Sequence, residues 1–529
     1  MTEKKINIWT PLILSITLII GMVFGYKLKE NMGDFAPSFS SGNNQLKINE
    51  LLNLISKKYV DDISLDSLQI KTIDAITSEL DPHSLYIPAG DLKEMNEDLN
   101  GNYYGIGVQF NIINDTVNII SIIKASPAER AGLQTGDKII KVDSINISGT
   151  KSSESRIKSL VKGEKGTIVN LTIERNNKFS SFKIQRNSIK STNIDAAFFI
   201  EPGIGFIRIN KFSGNSYEAF MEQLEKMKNA GMQKLILDLR DNGGGMLDDA
   251  VQIADEFLGG NKQIVTTKGV HVSEQIISAR RPGLFEEGKL VILINEHSAS
   301  ASEVLAGALQ DWNRATIIGR RSFGKGLVQE QFTLSDGSAI RLTVARYFTP
   351  IGRSIQKPYN KGADTSYQHE VSQRISDGEI LNNNHNDHIG KPFKLQDGRI
   401  LYSEEGISPD IFVPIDSIRW LLNSQSAANQ KRMTEAALQY FRANGIALKK
   451  LKQVAELRPF LNKDQQIQDW LNVWCQLLPT GVNVYKCKEF YFSEFEDMLC
   501  WMIWNVDGYY RSSSVKDPAV QNALSVLKK

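Results

Sequence analysis

Three separated residues of this chain, Ser300, Lys325 and Gln329, are of types that could together make a nucleophile, its base and a group that orients the base. A serine hydroxyl is a weak nucleophile until a neighbouring base takes its proton. Histidine is the commonest base, but the chain has only six, and His83, His271 and His297 are the ones near motif-like stretches. A lysine amine serves if it is neutral, which requires burial without a carboxylate partner. Lys325 lies in Phe323-Gly324-Lys325-Gly326, is followed by Leu327 and Val328, and has no acidic residue before it from Ile317 on. Gln329 is spaced to orient the amine by a hydrogen bond. A Ser–His pairing with His297 is disfavoured, because a residue three positions before the serine in one turn reaches its hydroxyl poorly.

The elements that must position these groups follow from hydrophobic pattern. Leu290–Ile294 is an apolar run suited to a buried strand. It leads through Asn295-Glu296-His297 into Ser298-Ala299-Ser300-Ala301-Ser302-Glu303 and then an Ala-rich helix former from Val304 to Leu309. A serine at a strand-to-helix turn is held out from the sheet, with the positive end of a helix dipole behind it. A second apolar strand, Ala315–Gly319, leads to the lysine turn. Upstream, Gly205–Ile209 reads as a strand, Ser216–Ala230 as an amphipathic helix and Lys234–Arg240 as a buried strand. Asp241-Asn242-Gly243-Gly244-Gly245 comes next, then a helix over Met246–Leu258. Strand, Gly-rich loop and helix also outline a phosphate cradle, but no lysine with Ser/Thr follows the glycines. Alternation of strands and helices over 203–347 predicts an α/β domain with βαβ units.

The series SASASE, FGKG and Gln329 resembles the carboxyl-terminal processing peptidases, PDZ-containing serine proteases of the S41 family with a serine–lysine dyad. The resemblance implies Ser300 as nucleophile, Lys325 as base and Gln329 as its orienting partner. It implies an oxyanion hole built from the N–H of Ala301 and of one glycine in the Asp241–Gly245 loop, either Gly244 or Gly245. It also implies a crotonase-like sheet over residues 190–416. Leu80-Asp81-Pro82-His83-Ser84, the segment Arg346–Gln356 and the segment Gly406–Pro414 match the same family. His83 reads as a turn histidine after Asp-Pro rather than a metal ligand. Between the last two segments, 357–396 is polar and weakly periodic, which predicts an insert or mobile loop.

Residues 101–184 carry short strands, a small helix around Pro127–Ala131 and a Gly-Asp turn in SPAERAGLQTGDKIIKVD, and resemble a PDZ domain. Such a module adds a peptide to a sheet edge and holds its terminal carboxylate with backbone N–H groups. The loop Tyr104-Gly105-Ile106-Gly107-Val108 is the expected cradle, and its apolar side chains predict apolar C-terminal residues in the substrate.

Apolar residues make up 41% of the chain and charged ones 23%, ordinary for a globular protein. The net charge of +2 gives no reason to expect nucleic acid. No motif calls for a metal or a cofactor. Lys4 and Lys5 precede an uncharged run, Ile8–Tyr26, long enough to cross a bilayer core of about 30 Å. No clear cleavage site follows, so residues 1–30 read as a single-pass signal anchor in the cytoplasmic (inner) membrane, with the rest exported to the periplasm or its equivalent. Residues 31–45 form a linker rich in Ser, Gly, Asn and Pro, and 46–100 a helical region. The cysteines Cys475, Cys487 and Cys500 allow one disulfide with one thiol left over. Residues 418–529 are helical in pattern and aromatic-rich, and predict a domain that packs on the core or on a partner.

Together these expectations describe an α/β multidomain protein: a membrane-anchored serine endopeptidase acting on protein C-termini. The alternative is a catalytically inactive PDZ scaffold, which would have no use for Ser300, Lys325 and Gln329.

Overall fold

The computed structural model describes residues 15, 22, 44–190, 193–360, 362, 366–382, 390–395, 397–403, 405–416, 427–476 and 483–529. The expected anchor over 8–26 and nearly all of the linker lie outside them. No helix among the described residues is long and apolar enough to cross a membrane. The chain divides into a first unit ending at Ile73 and a second from Asp74 onward. The first contains helix Asn44–Lys58 and the start of helix Leu65–Ser78, with Leu51, Leu54 and Ile70 exposed.

The second unit is built around a six-stranded sheet. Strands Ile204–Ile209, Lys234–Asp238, Lys289–Ile294, Thr316–Gly319 and Ile411–Phe412 run parallel, and Ile194–Glu201 pairs antiparallel at one edge. Parallel strands are covered on both faces, which explains why Leu290–Ile294 is apolar at every position rather than alternating. Leu290, Ile292 and Ile294 face the helices Ser216–Asn229, Leu247–Asp255 and Ala301–Asp311. Val291 and Leu293 face the last helix of the chain, Pro518–Lys528, through Val520, Ala523, Leu524 and Leu527. The predicted C-terminal domain is therefore divided: its final helix completes the core of the α/β domain.

A second, antiparallel sheet was not expected. The hairpin Leu327–Thr333 and Ala339–Phe348 forms its spine; the free edge of Ala339–Phe348 pairs with Leu85–Ile87 at its start and with Gln263–Lys268 at its end, and Gln275–Ser278 lies beyond the latter. Leu85 and Gln331 both pair with Arg341, so the Asp81–Ser84 turn arrives beside Gln329.

The module at 101–190 has the sheet expected of a PDZ domain, with helices Pro127–Arg130 and Glu154–Val161. Strand Asn187–Lys190 closes it against Asn102–Gly105. Helices Ala427–Leu448, Gln465–Gln476 and Val484–Ser514 pack on its outer face, where Ile113 and Ile120 join a cluster with Tyr440, Phe441, Phe495 and Leu499. Arg442 adds bonds to Asn118 Oδ1 at 2.7 Å and to the Gly136 carbonyl at 2.9 Å. Cys475 and Cys487 form a disulfide and Cys500 is a buried thiol.

The polar insert is less loop-like than its composition suggests. It contains helices Ser366–Ser376 and Glu379–Asn382 and a short hairpin, Pro392–Lys394 with Ile400–Tyr402. Its polar side chains are spent on buried ion pairs: Arg321 and Arg374 both bond Glu379.

Candidate active site

Ser300 stands between strand Lys289–Ile294 and helix Ala301–Asp311 with φ +55° and ψ −113°. A non-glycine residue held there costs about 1–3 kcal/mol, which persists only where the surroundings impose it. The surroundings are visible. Ser298 donates its hydroxyl to the Leu239 carbonyl at 2.8 Å and Ser302 to the Asn242 carbonyl at 2.9 Å. Ala299 N–H also donates to the Asn242 carbonyl, at 3.0 Å. Two of the three clustered serines thus pin the turn to the glycine loop, and Ser300 is the one at the strained corner.

Glu303, one turn into the helix and 1% exposed, turns back on that corner. One carboxylate oxygen accepts the N–H of Ser300 and the N–H of Lys325, each at 2.8 Å. The other accepts the Gly324 N–H at 2.7 Å and the Ser322 hydroxyl at 2.5 Å. Burial pushes the Glu303 carboxyl up, and its four donors pull the other way. Glu303 is the residue that sequence reasoning missed. Its signal was present as the capping-box spacing Ser-x-x-Glu, which announces a helix start and nothing about a distant loop.

The Lys325 amine donates to Gln329 Oε1 at 2.9 Å. Burial lowers the pKa of this lysine, and the Arg341 charge lowers it further, while Asp81 and Glu303 oppose both. Gln329 Nε2 donates to the His83 carbonyl at 2.5 Å. Asp81 holds that turn by accepting the N–H groups of His83 and Ser84 at 2.8 and 2.9 Å and the Ser84 hydroxyl at 2.6 Å. His83 is a turn histidine, as expected, but its main-chain carbonyl reaches the site. Burial and the nearby Lys325 hold its imidazole down at about 4, so it is neutral near pH 7. His297 is exposed and its N–H is taken by Asn295.

The glycine loop lies directly against the serine. A Cβ on Gly244 would fall 2.7 Å from Ser300 Cβ and 3.0 Å from the Ala301 nitrogen. The Gly244 N–H is donated to Asn242 Oδ1 at 2.9 Å, and its carbonyl accepts the Phe212 N–H at 3.0 Å. Because the peptide is planar and trans, the Gly245 N–H points opposite to that carbonyl, away from Phe212. The Gly244 N–H is thus already taken, and neither glycine tolerates a side chain: a Cβ on Gly245 would fall 1.7 Å from the Phe212 carbonyl oxygen.

In the PDZ module, a cavity of about 450 Å³ is lined by Gly105, Ile106, Gly107, Val108 and Phe110 on one side and by Lys158, Val161 and Lys162 on the other. Tyr103 lines it too, whereas Tyr104 is 36% exposed and contributes its carbonyl, which accepts the Gly163 N–H. Ile106 is buried in the module's core, and its carbonyl accepts the Ala128 N–H. Two lysines at the groove were not expected. Lys162 bonds Glu94 of helix Ala89–Asn100 at 2.7 Å, and Lys158 bonds Glu154 at 2.7 Å.

Replacing Glu303 by glutamine keeps the shape but sets an NH2 against donors. Each orphaned donor typically costs about 1–3 kcal/mol. Glu303→Gln is expected to lower kcat for a disordered peptide by at least tenfold and to lower Tm. An unchanged kcat would show that the carboxylate is not what joins the two loops.

Residues 203–364 match the model of peptidase family S41, and residues 105–185 match the PDZ domain model. A probable CtpA-like serine protease of Staphylococcus epidermidis is 36% identical over 314 residues, which is 59% of this chain and 63% of that one. The chain thus spans somewhat under two thirds of that relative's length. A carboxy-terminal-processing protease of Bartonella bacilliformis is 35% identical over 64% of this chain and 80% of its own. Among solved structures, the photosystem II D1 C-terminal processing protease is 25% identical, covering 71% of this chain and 94% of its own with a TM-score of 0.36. With relatives of this identity and coverage, and with the α/β domain and PDZ module in place, the chain belongs to the S41 peptidase family.

Proposed function

We propose that the protein is an exported serine endopeptidase that selects protein C-termini through its PDZ module and cleaves the chain with Ser300 and Lys325. One observation carries this reading. The Lys325 amine is half-buried on an amide partner, and its backbone shares a single carboxylate oxygen with that of Ser300. An amine so held loses its proton more readily than a solvated one. As Ser300 Oγ attacks the scissile carbonyl, Lys325 takes the hydroxyl proton and then passes it to the leaving amine. The N–H groups of Ala301 and Gly245 receive the oxyanion. Losing one such donor typically costs about 2.7–4 kcal/mol of transition-state stabilisation. Water then hydrolyses the acyl-enzyme with Lys325 again as base. A PDZ scaffold without catalysis has no use for this arrangement.

Ser300→Ala and Lys325→Ala are each expected to abolish cleavage with the fold intact, and Lys325→Arg to fail as well because guanidinium keeps its proton. The base must be neutral, and its pKa is lowered, so kcat should rise with pH through an apparent pKa below 10.5. A serine-reactive phosphonate should label Ser300. Full turnover by Lys325→Arg would remove the lysine from the role of base.

The groove supports capture of a free, apolar C-terminus: Val108, Phe110 and Val161 offer apolar contact, and since Lys158 and Lys162 are already paired with Glu154 and Glu94, and Glu97 lines the same cavity, the carboxylate falls to the backbone of the Gly105–Val108 loop. Amidating a substrate's C-terminus removes the carboxylate and leaves donors poorly paired, at about 1–3 kcal/mol. The expected result is a five- to hundredfold rise in KM at about 1.4 kcal/mol per tenfold. Equal kinetics for acid and amide peptides would exclude carboxylate capture.

Export is supported by the Cys475–Cys487 disulfide, since disulfides persist in oxidising compartments. The uncharged run Ile8–Tyr26 supports a single-pass anchor in the cytoplasmic membrane, with the catalytic part outside it. The full chain is expected to stay with membranes after a carbonate wash. Soluble mature protein beginning beyond Tyr26 would replace the anchor by a cleaved signal.

A further inference from the structure

The insert reaches into the neighbourhood of the base. Helix Ser366–Ser376 turns Tyr367 inward until it is 5% exposed. Its hydroxyl is 2.9 Å from His83 Nε2, and the two rings meet edge-on at 5.3 Å. Tyr367 also packs edge-on at 5.8 Å against Phe323, two residues before Lys325. The Lys357 ammonium lies 4.4 Å from the Tyr367 ring and 3.9 Å from the Phe323 ring, and Glu370 of the same insert helix bonds it at 2.9 Å. Arg374 fastens that helix to the lysine turn through the carbonyls of Arg321 at 2.7 Å and Ser322 at 3.2 Å.

From Tyr367 a continuous path leads to the amine. Tyr367 holds the His83 ring, the His83 carbonyl holds Gln329 Nε2, and Gln329 Oε1 holds Lys325 Nζ. We propose that Tyr367 is a positioning residue for the base, acting through the His83 turn and Gln329 to fix the Lys325 amine while its ring and Phe323 keep water away. This rests on the Ser300–Lys325 reading above.

The charges around Lys325 set the sign of the test. The carboxyl groups of Asp81 on the turn and Glu303 on the helix favour the Lys325 ammonium, Arg341 on the central strand of the antiparallel sheet opposes it, and Lys357 beside Gly324 is paired with Glu370. His83 is neutral near pH 7. Removing the Tyr367 ring changes none of these charges but admits water. Better solvation favours the ammonium and raises the lysine pKa, so the acid limb of kcat moves to higher pH.

The experiment compares full-length wild type, Tyr367→Ala, Tyr367→Phe and Lys325→Ala on one disordered peptide across pH. Labelling of the Lys325 amine by acetic anhydride is followed in parallel by mass spectrometry. Tyr367→Ala is expected to lower kcat roughly ten- to hundredfold, as misplacing a catalytic group by a small distance does. KM should stay within about twofold, and the acid limb and labelling midpoint should both rise. Tyr367→Phe should shift both in the same direction by less. Unmoved limb and midpoint in Tyr367→Ala overturn the proposal whatever the loss in kcat, because a purely structural role predicts that result. If Tyr367→Ala does not fold, an unmoved midpoint in Tyr367→Phe overturns it instead. An active Lys325→Ala overturns the dyad and this inference together. An inactive Lys325→Ala beside an unshifted Tyr367→Ala overturns this inference alone.

Discussion

The site depends on one buried carboxylate. Glu303 receives donors from two loops that have no covalent reason to meet: the N–H of Ser300, and the Ser322–Lys325 turn. Burying a carboxylate is expensive unless its lone pairs are filled. Here four donors fill them, and they do so only when both loops are in place. The same side chain therefore closes the start of the helix and sets the lysine turn against the serine turn. The strain at Ser300 is sustained in this way, with Asn242 holding the other side of the corner through its carbonyl and through Gly244.

Around that centre the architecture is a set of braces. The two serines flanking Ser300 tie its turn to the glycine loop, and the antiparallel sheet brings the Asp81–Ser84 turn to Gln329. The C-terminal helices hold the PDZ module from outside, and the final helix fills the open face of the parallel sheet. Arg240 links the two parts of this arrangement, with Asp238 at the end of a sheet strand on one side and Asp517 at the cap of the final helix on the other. The C-terminal extension is thus part of the frame of the α/β domain and the PDZ module rather than an appended domain.

Much of this was legible in the chain. Parallel strands that are buried on both faces leave continuous apolar runs, and Leu290–Ile294 and Lys234–Leu239 gave themselves away by that. Ser300, Lys325 and Gln329 stood out through the spacing of SASASE, FGKG and Gln329, and the structure brings the Lys325 amine onto the Gln329 amide. What stayed hidden depends on contacts far apart in sequence. The Glu303 clamp reads as an ordinary capping box until the lysine turn folds onto it. The role of the His83 carbonyl is invisible because a backbone atom has no residue signature. The insert looked like a loop because ion pairs replace apolar periodicity there, with Arg321, Arg374, Glu370 and Glu379 buried on one another. The last helix lies in a stretch read only as helical and aromatic-rich, and nothing in its sequence says which sheet it covers.

Two lysines near the same turn, Lys357 buried and Lys325 half-buried, show how partners divide labour. Lys325 and Lys357 both have a pKa lowered first by burial, and their backbones lie close, since the Lys357 N–H donates to the Gly324 carbonyl at 2.9 Å. Lys357 is given a carboxylate, Glu370, and two aromatic faces, all of which favour the ammonium. Lys325 is given the neutral oxygen of Gln329, and its nearby carboxylate, Glu303, is already occupied by backbone donors. The cation at Lys357 also helps keep His83 uncharged. A neutral imidazole next to Gln329 adds no positive charge that would hinder Lys325 from accepting a proton. The protein thus distinguishes the two lysines by choice of partner, and the polar insert supplies the carboxylate for Lys357 alone.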